Sequence, residues 1–453
     1  MLEFQTTFML FLFVLTISFI VWKPRGINET IPTTIGAAIV LISGIVPLSD
    51  VLEIFNLVSG ASITIISTII MSIVLESIGF FRWVAYNLVN KSKGSGKVLY
   101  LYIILLCFLT TLFFNNDGSI LITTPIIIHI ITLLKFKPHQ KIPFLFSGAL
   151  IATAASAPIA VSNIANLISL KVVNLDLNSY VAMMFVPSMF GIVCMTLLMF
   201  LFYKKEIPVK IPTNIQPFQT SPSLKGMAQH PLADIDIEKF EIDWSTFRIC
   251  LIIVILTRAG FFILTPLGIP LELIAVIGAV LLILLRWKKQ GVVGLDIIKK
   301  TPWHVLLFAF SMYVLVYGLH NVGVTSIIVD LLGAAMKSNL FNTVVLSGIL
   351  LTILSNLFNN LPAVMIGTLS FLEMDLSSQS LQLAYLAGII GSDIGSLISP
   401  MGTLATLIWF FILRNNHIHI SWREYLKLTI LVIPIILMVT LFALYLWNEW
   451  LFF

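Results

Sequence analysis

Charge is scarce in this 453-residue chain: Asp, Glu, Lys and Arg make up 10% of it, against about a quarter in an ordinary soluble domain. So few charges exclude a soluble enzyme or binding module of this size. Cysteine is scarcer still. Cys107, Cys194 and Cys250 lie within or beside apolar runs and show no CxxC spacing, which excludes a disulfide framework or a zinc ribbon. No HExxH helix and no nucleophile paired with a base is recognisable, so an enzyme's signature is missing. Nothing calls for a cofactor or a bound metal. The net charge of +5 and pI near 9.0 could suggest nucleic acid, but the basic residues fall between apolar runs instead of forming one patch.

What the chain has instead is hydrocarbon. Apolar residues make up 58% and mean hydropathy is +1.04. They come as runs at 4–22, 31–47, 57–81, 98–114, 119–134, 144–170, 181–203, 247–264, 271–287, 305–319, 341–358, 363–372, 381–413 and 426–447. Many have the ~20-residue length that crosses a bilayer as helix. The reading is an all-α polytopic membrane protein. The first run resembles a secretory signal, yet Glu3 precedes it, Lys23 and Arg25 follow it, and no small-residue cleavage site closes it. It is expected to be a retained first helix.

Charge placement selects among topologies. If every run crossed, basic connections would fall on both sides of the membrane, against the positive-inside bias. Treating 98–134 and 341–372 as re-entrant hairpins, and 144–170 and 381–413 as single broken crossings, predicts ten crossings. With the N-terminus outside, 23 of the 26 Lys and Arg residues then lie inside. Lys171 and Lys337 fall outside and Arg258 within a helix, while Asp50, Glu53, Asp176, Glu373, Asp375 and Glu449 occupy outer loops. Five crossings per half invert the second half relative to the first. The internal echo Phe114-Asn115-Asn116 and Phe358-Asn359-Asn360, 244 positions apart, supports the repeat. The expected organisation is therefore a first repeat at 1–203, a proline-bearing cytoplasmic linker at 204–243 and a second repeat at 244–453, in the cell membrane.

Backbone groups left unpaired in hydrocarbon are expensive, so helix breaks at membrane depth survive only where they line a cavity or are packed in protein. Four breaks stand out: Asn115-Asn116-Asp117-Gly118; Ala157-Pro158 through Ser162-Asn163 to Asn166; Asn359-Asn360-Leu361-Pro362; and Gly391-Ser392-Asp393-Ile394-Gly395 through Ser399-Pro400-Met401-Gly402-Thr403. Paired by the repeat, they would converge on one cavity offering Asn115, Asn116, Ser162, Asn163, Asn166, Asn359, Asn360, Ser392 and Thr403 to a ligand. Asp117 and Asp393 are the acids within these breaks, and an intramembrane acid is a candidate proton carrier. The structural alternative is that each caps a half-helix by accepting backbone N–H bonds. Arg258 and Glu76 read better as a structural pair or as snorkelling side chains. His129 and His320 read as hydrogen-bonded core residues, and His417 and His419 as loop residues.

These motifs carry a resemblance. Asn116-Asp117-Gly118 leading to Thr124-Pro125, Ile159-Ala160-Val161-Ser162-Asn163 with Asn166, Asn359-Asn360-Leu361-Pro362, Gly391-Ser392-Asp393-Ile394-Gly395 and Pro400-Met401-Gly402-Thr403 resemble the arsenical pump membrane protein family of the ion transporter superfamily. Thr301-Pro302-Trp303, the stretch 312–319 and Ile420-Ser421-Trp422 match as well. The resemblance implies arsenite and antimonite export in exchange for protons, with an elevator-like transport domain on a scaffold. It also implies a homodimer and, in some systems, a docked soluble ATPase. The chain departs from the family pattern at Ser392, usually Cys, at Ser396-Leu397, usually Pro-Lys, and at Ala363, usually Thr. Arsenite is a neutral trihydroxide at pH 7, and carboxamides and hydroxyls can both donate to it and accept from it. A sodium/proton antiporter and a sodium-coupled carboxylate carrier on the same scaffold are the rival readings. Sodium dependence of proton flux separates the antiporter from the exporter.

Overall fold

The computed structural model describes residues 2–22, 27–212, 243–290 and 294–452. Most of the expected linker, 213–242, therefore lies outside the described residues, as do Lys23 and Arg25. Among the described residues the fold is all helical, with one isolated backbone bridge between Ser95 and Lys210.

The first half runs α1 (Leu2–Trp22), α2 (Thr30–Ile42), α3 (Leu48–Ser77), α4 (Phe80–Lys91), α5 (Gly96–Phe113), α6 (Asn116–Leu133), α7 (Pro138–Ala154), a 3-10 turn at Ala160–Ser162, α8 (Ile164–Val172) and α9 (Leu177–Tyr203). The second runs α10 (Trp244–Ile263), α11 (Leu271–Gln290), α12 (Leu295–Lys300), α13 (His304–Asn321), α14 (Val324–Ser338), α15 (Leu340–Phe358), α16 (Asn360–Glu373), α17 (Ser378–Asp393), a 3-10 turn at Gly395–Ile398, α18 (Leu404–Asn415) and α19 (Trp422–Leu451).

Among the described residues, ten stretches are long and apolar enough to cross a bilayer. That number equals the expected number of crossings, but the membership differs. It includes the expected hairpin arms α5, α6 and α15 and omits the short helix α2, the pair α7 and α8, and α11. Length and apolarity alone do not separate a hairpin arm from a crossing. The interruptions are informative: at 1.5 Å per residue α7, α8, α17 and α18 reach only about 14–25 Å each, short of a hydrocarbon core of about 30 Å.

Two packing groups result. In one, α2 lies along α13, α3 along α11, and α10 against α11, with α1 beside α2. In the other, α5, α6 and α7 pack together, as do α15, α16 and α17, and α9 lies along α19. The groups touch where α13 meets α16 and α3 meets α8, and α4 and α14 bridge them. Both bridging helices start after a glycine in the left-handed region, Gly79 at φ 80° and Gly323 at φ 81°. Those glycines stand 244 positions apart. A side chain with a Cβ is strained at such φ, so glycine is the residue that turns the chain there.

Lipid supplies no hydrophobic drive between helices, so close approach is made by small residues. Where α17 crosses α15, a Cβ placed on Gly391 would come within 2.2 Å of the Gly348 carbonyl oxygen. That neighbour is backbone and cannot swing away. Gly391→Ala is expected to destabilise the protein by about 1–3 kcal/mol through overpacking, read as a lowered midpoint of thermal unfolding in detergent. An unchanged midpoint would mean that α15 and α17 are not in contact at this point.

Candidate functional site

Asp393 ends α17 and is 0% exposed. Its carboxylate accepts from Ser156 Oγ at 2.7 Å, Asn163 Nδ2 at 2.9 Å, Asn166 Nδ2 at 2.7 Å and, more weakly, Ser392 Oγ at 3.4 Å. Ser156 and Asn163 come from the interruption between α7 and α8 and Asn166 from the first turn of α8, all more than two hundred positions away in sequence. Each oxygen of an ionised carboxylate is an acceptor only, so two amide N–H groups and two hydroxyls suit it without any cation. Among the described residues no Lys, Arg or His lies within salt-bridge distance of Asp393. The position of the absent family lysine is taken by Leu397, which is buried.

The interruption that carries the donors is held open by tyrosines. Tyr180 OH on α9 donates to the Ala157 carbonyl at 2.6 Å, and Tyr385 OH on α17 to the Asn166 carbonyl at 2.7 Å. The second interruption is treated alike: Tyr425 OH on α19 donates to Leu397 O at 3.0 Å and Thr429 Oγ1 to Ile398 O at 2.7 Å. Carbonyls freed from a helix ladder in a dry interior need such partners.

The half-helices are capped by neutral residues. Asn163 Oδ1 accepts from Ala165 N at 3.0 Å to start α8, and Thr403 Oγ1 from Thr406 N at 3.0 Å to start α18. Asn115 Oδ1 accepts from Gly118 N at 2.5 Å to start α6. Among the described residues neither aspartate carboxylate accepts a backbone N–H, so neither acts as a half-helix cap. Asp117 sits in the first turn of α6, half-buried, and its carboxylate has no hydrogen-bond partner among the described residues. It lies within electrostatic range of Asp393 and of Glu29.

The other expected residues divide. Asn116 Oδ1 accepts from Asp117 N at 2.8 Å, a local contact within the hairpin tip. Asn359, at φ 79°, donates from Nδ2 to the Met401 carbonyl at 3.2 Å and so ties the second hairpin tip to the second interruption. Asn360 is buried at the start of α16, which packs on α8. Ser162 is fully buried, and its hydroxyl has no partner. Asn115 Nδ2, Asn166 Oδ1, Asn359 Oδ1 and Ser396 Oγ are also buried without partners. Buried polar atoms of this kind also occur elsewhere in the bundle, on Ser62, Ser188 and Asn448 among others.

The remaining polar residues behave as structure. His320 Nδ1 contacts Glu373 Oε1 at 2.7 Å, half-exposed, and joins α13 to α16. Arg258 donates to the carbonyls of Phe113 and Phe114 and pairs with no acid among the described residues.

Ser156, Tyr385 and Glu29 escaped the sequence reading. Ser156 sits in a run of alanines before Pro158, and a lone serine there carries no signal. Tyr385 lies two helical turns before Asp393. Glu29 did have one: an acid placed against the apolar run of α2, where it is 8% exposed.

Interrupted helices whose buried amides, hydroxyls and acids meet inside a lipid-embedded bundle define a multi-pass membrane protein with a small polar site. The model of the arsenical pump membrane protein family matches residues 8–448, and the chain belongs to that family. It is 49% identical over 441 residues to the Bacillus subtilis protein named "Putative arsenical pump membrane protein", covering 97% of this chain and 99% of that one. It is 34% identical over 433 residues to an Escherichia coli arsenical pump membrane protein, covering 96% and 97% of the two chains.

The donor set around Asp393 makes a prediction independent of cargo. In Asp393→Asn one acceptor oxygen becomes an NH₂ group facing donors, and at least one buried group loses its partner. The expected loss is about 1–3 kcal/mol, measured as thermal unfolding in detergent. An unaltered midpoint would show that Ser156, Asn163 and Asn166 do not point at this carboxylate.

Proposed function

We propose that the protein exports arsenite, and antimonite by the same chemistry, from the cell in exchange for protons. The observation that carries this reading is the pairing of two intramembrane acids with a neutral amide and hydroxyl set. Asp393 is fully cradled by donors, and Asp117 is half-buried, without a hydrogen-bond partner among the described residues, and within its electrostatic range. Arsenite presents three hydroxyls that donate and accept. Partnerless Asn115 Nδ2 can donate, Asn166 Oδ1 and Asn359 Oδ1 can accept, and Ser162 Oγ can do either. No thiol takes part, since Cys107, Cys194 and Cys250 lie on three separate helices. A site of modest affinity also lets its cargo go, which turnover requires.

In the cycle, Asp117 or Asp393 takes a proton as metalloid leaves outside and loses it as metalloid binds inside, so the two ligands compete. The repeats at 1–203 and 244–453 are inverted, with the N-terminus outside and the linker at 204–243 cytoplasmic, and each hairpin gates one side. The group containing α5 to α9 and α15 to α19 is the moving part, and the group around α2, α3, α11 and α13 is the scaffold. The family pattern adds a homodimer and, in some systems, a docked soluble ATPase.

The sodium readings fit less well. Sodium is coordinated by oxygen, whereas Asn163 and Asn166 aim N–H groups at Asp393. A carboxylate substrate would meet two acids.

Everted membrane vesicles test the proposal directly. Radiolabelled arsenite is expected to accumulate when the interior is acid and to stop when the gradient is collapsed; accumulation indifferent to the gradient would remove proton coupling. In an arsenite-sensitive host, Asp117→Asn and Asp393→Asn are each expected to lower resistance about tenfold or more, since each withdraws a charge and its proton from an intramembrane site. Full resistance in both would take the carboxylates out of the cycle.

A further inference from the structure

Arg258 stands inside α10, 7% exposed. An arginine buried among lipid-embedded helices ordinarily faces an acid or a water-filled path. This one pairs with no acid among the described residues. Its Nε donates to Phe113 O at 2.5 Å and its Nη2 to Phe114 O at 2.6 Å, while Nη1 has no partner. The guanidinium also rests 5.3 Å from the Phe261 ring, one turn further along α10.

The two carbonyls are those that α5 leaves open at its C-terminal end, where the helix stops at Phe113 and Phe114 turns out of helical geometry. The next residues are Asn115, Asn116 and Asp117. A planar fork can bind two neighbouring oxygens at once, and a cation at a helix C-terminus also meets the negative end of its dipole. Arg258 thus reaches from the α10 and α11 group onto the first hairpin tip, immediately beside the candidate site.

Among the described residues the second hairpin has no charged anchor of this kind. The residue 244 positions before Arg258 is Val14, on α1. There the tip touches α1 through a ring contact, Phe13 to Phe358 at 5.2 Å. Beside it runs a shallow groove of about 310 Å³ on the outer face of the bundle, lined by Val14, Ser18, Leu357, Phe358 and Met401 among others. The first tip is tied across to the α10 and α11 group by charge-assisted hydrogen bonds, whereas the second is tied within its own group, by Asn359 to Met401 and Asn356 to Gly395, and meets α1 through an apolar contact.

We propose that Arg258 is a positioning residue: in this conformation it pins the first hairpin tip to the α10 and α11 group so that Asn115, Asn116 and Asp117 are presented to the site, a charged tie with no counterpart at the second hairpin among the described residues. The inference rests on the transport reading above only for its second readout.

The test uses chains carrying Cys107→Ala, Cys194→Ala and Cys250→Ala with a single reporter, either Phe114→Cys or Leu357→Cys. Both are labelled in membranes with a permeant maleimide. Arg258→Ala is expected to speed labelling at Phe114→Cys about tenfold or more, as loss of two charge-assisted hydrogen bonds allows. The rate at Leu357→Cys should stay unchanged. Arg258→Lys, which keeps the charge but not the fork, should fall between. Equal rates at Phe114→Cys with Arg258 and with Arg258→Ala would overturn the proposal, and so would equal acceleration at both reporters, which reports general loosening. If Arg258→Ala does not reach the membrane, Arg258→Lys decides by the same two comparisons. In everted vesicles the same substitution should raise the KM for arsenite several-fold more than it lowers the maximal rate. Absence of arsenite uptake by the unsubstituted protein would strike the cargo assignment and leave the labelling result standing.

Discussion

Every backbone amide and carbonyl inside the bundle has to find a partner within the protein, because lipid offers none. An unbroken helix meets this demand automatically. This chain breaks its helices where they are most enclosed, and each break then depends on side chains brought from elsewhere. Tyr180 and Tyr385 serve the interruption between α7 and α8, Tyr425 and Thr429 the one between α17 and α18. Arg258 serves the end of α5. The polar residues of the site therefore exist because the helices are interrupted, and the interruptions are tolerable because those residues are there.

The same constraint explains how a carboxylate can be fully buried without a counter-cation. Asp393 is surrounded by N–H and O–H groups belonging to a segment that has left helical geometry. In an intact helix Asn163 and Asn166 would be free to seek other partners along the ladder. Here Asn163 caps α8 through its oxygen and gives its nitrogen to the acid, so one side chain holds both the break and the charge. Asp117 differs: half-buried in the first turn of α6, its carboxylate has no hydrogen-bond partner among the described residues.

Symmetry of sequence does not produce symmetry of mechanics. Asn115 and Asn359 both stand at hairpin tips, yet Asn115 has extended geometry and caps its own helix, whereas Asn359 has positive φ and reaches across to Met401. The neighbours differ in the same sense, a guanidinium at the first tip and an apolar ring contact with α1 at the second. The two halves share an order of elements and diverge in what anchors them.

The sequence alone determined the polytopic helical class, the positions of the four interruptions and most of the polar residues in them. These properties are local: apolar run length, glycine and proline placement, and an acid where hydrocarbon should be. Asn163, Asn166, Asp393, Asn359 and Thr403 were legible for that reason, as was the family. Tertiary structure alone decided which polar groups meet. Ser156 reaches Asp393 across 237 positions, and Arg258 reaches Phe113 across 145. Such contacts follow from how helices pack and from which carbonyls a broken helix leaves open, and no spacing along the chain encodes them. Whether an aspartate caps a helix or receives its neighbours' donors is likewise a matter of backbone direction, which the residues Asp117 and Asp393 do not reveal by themselves.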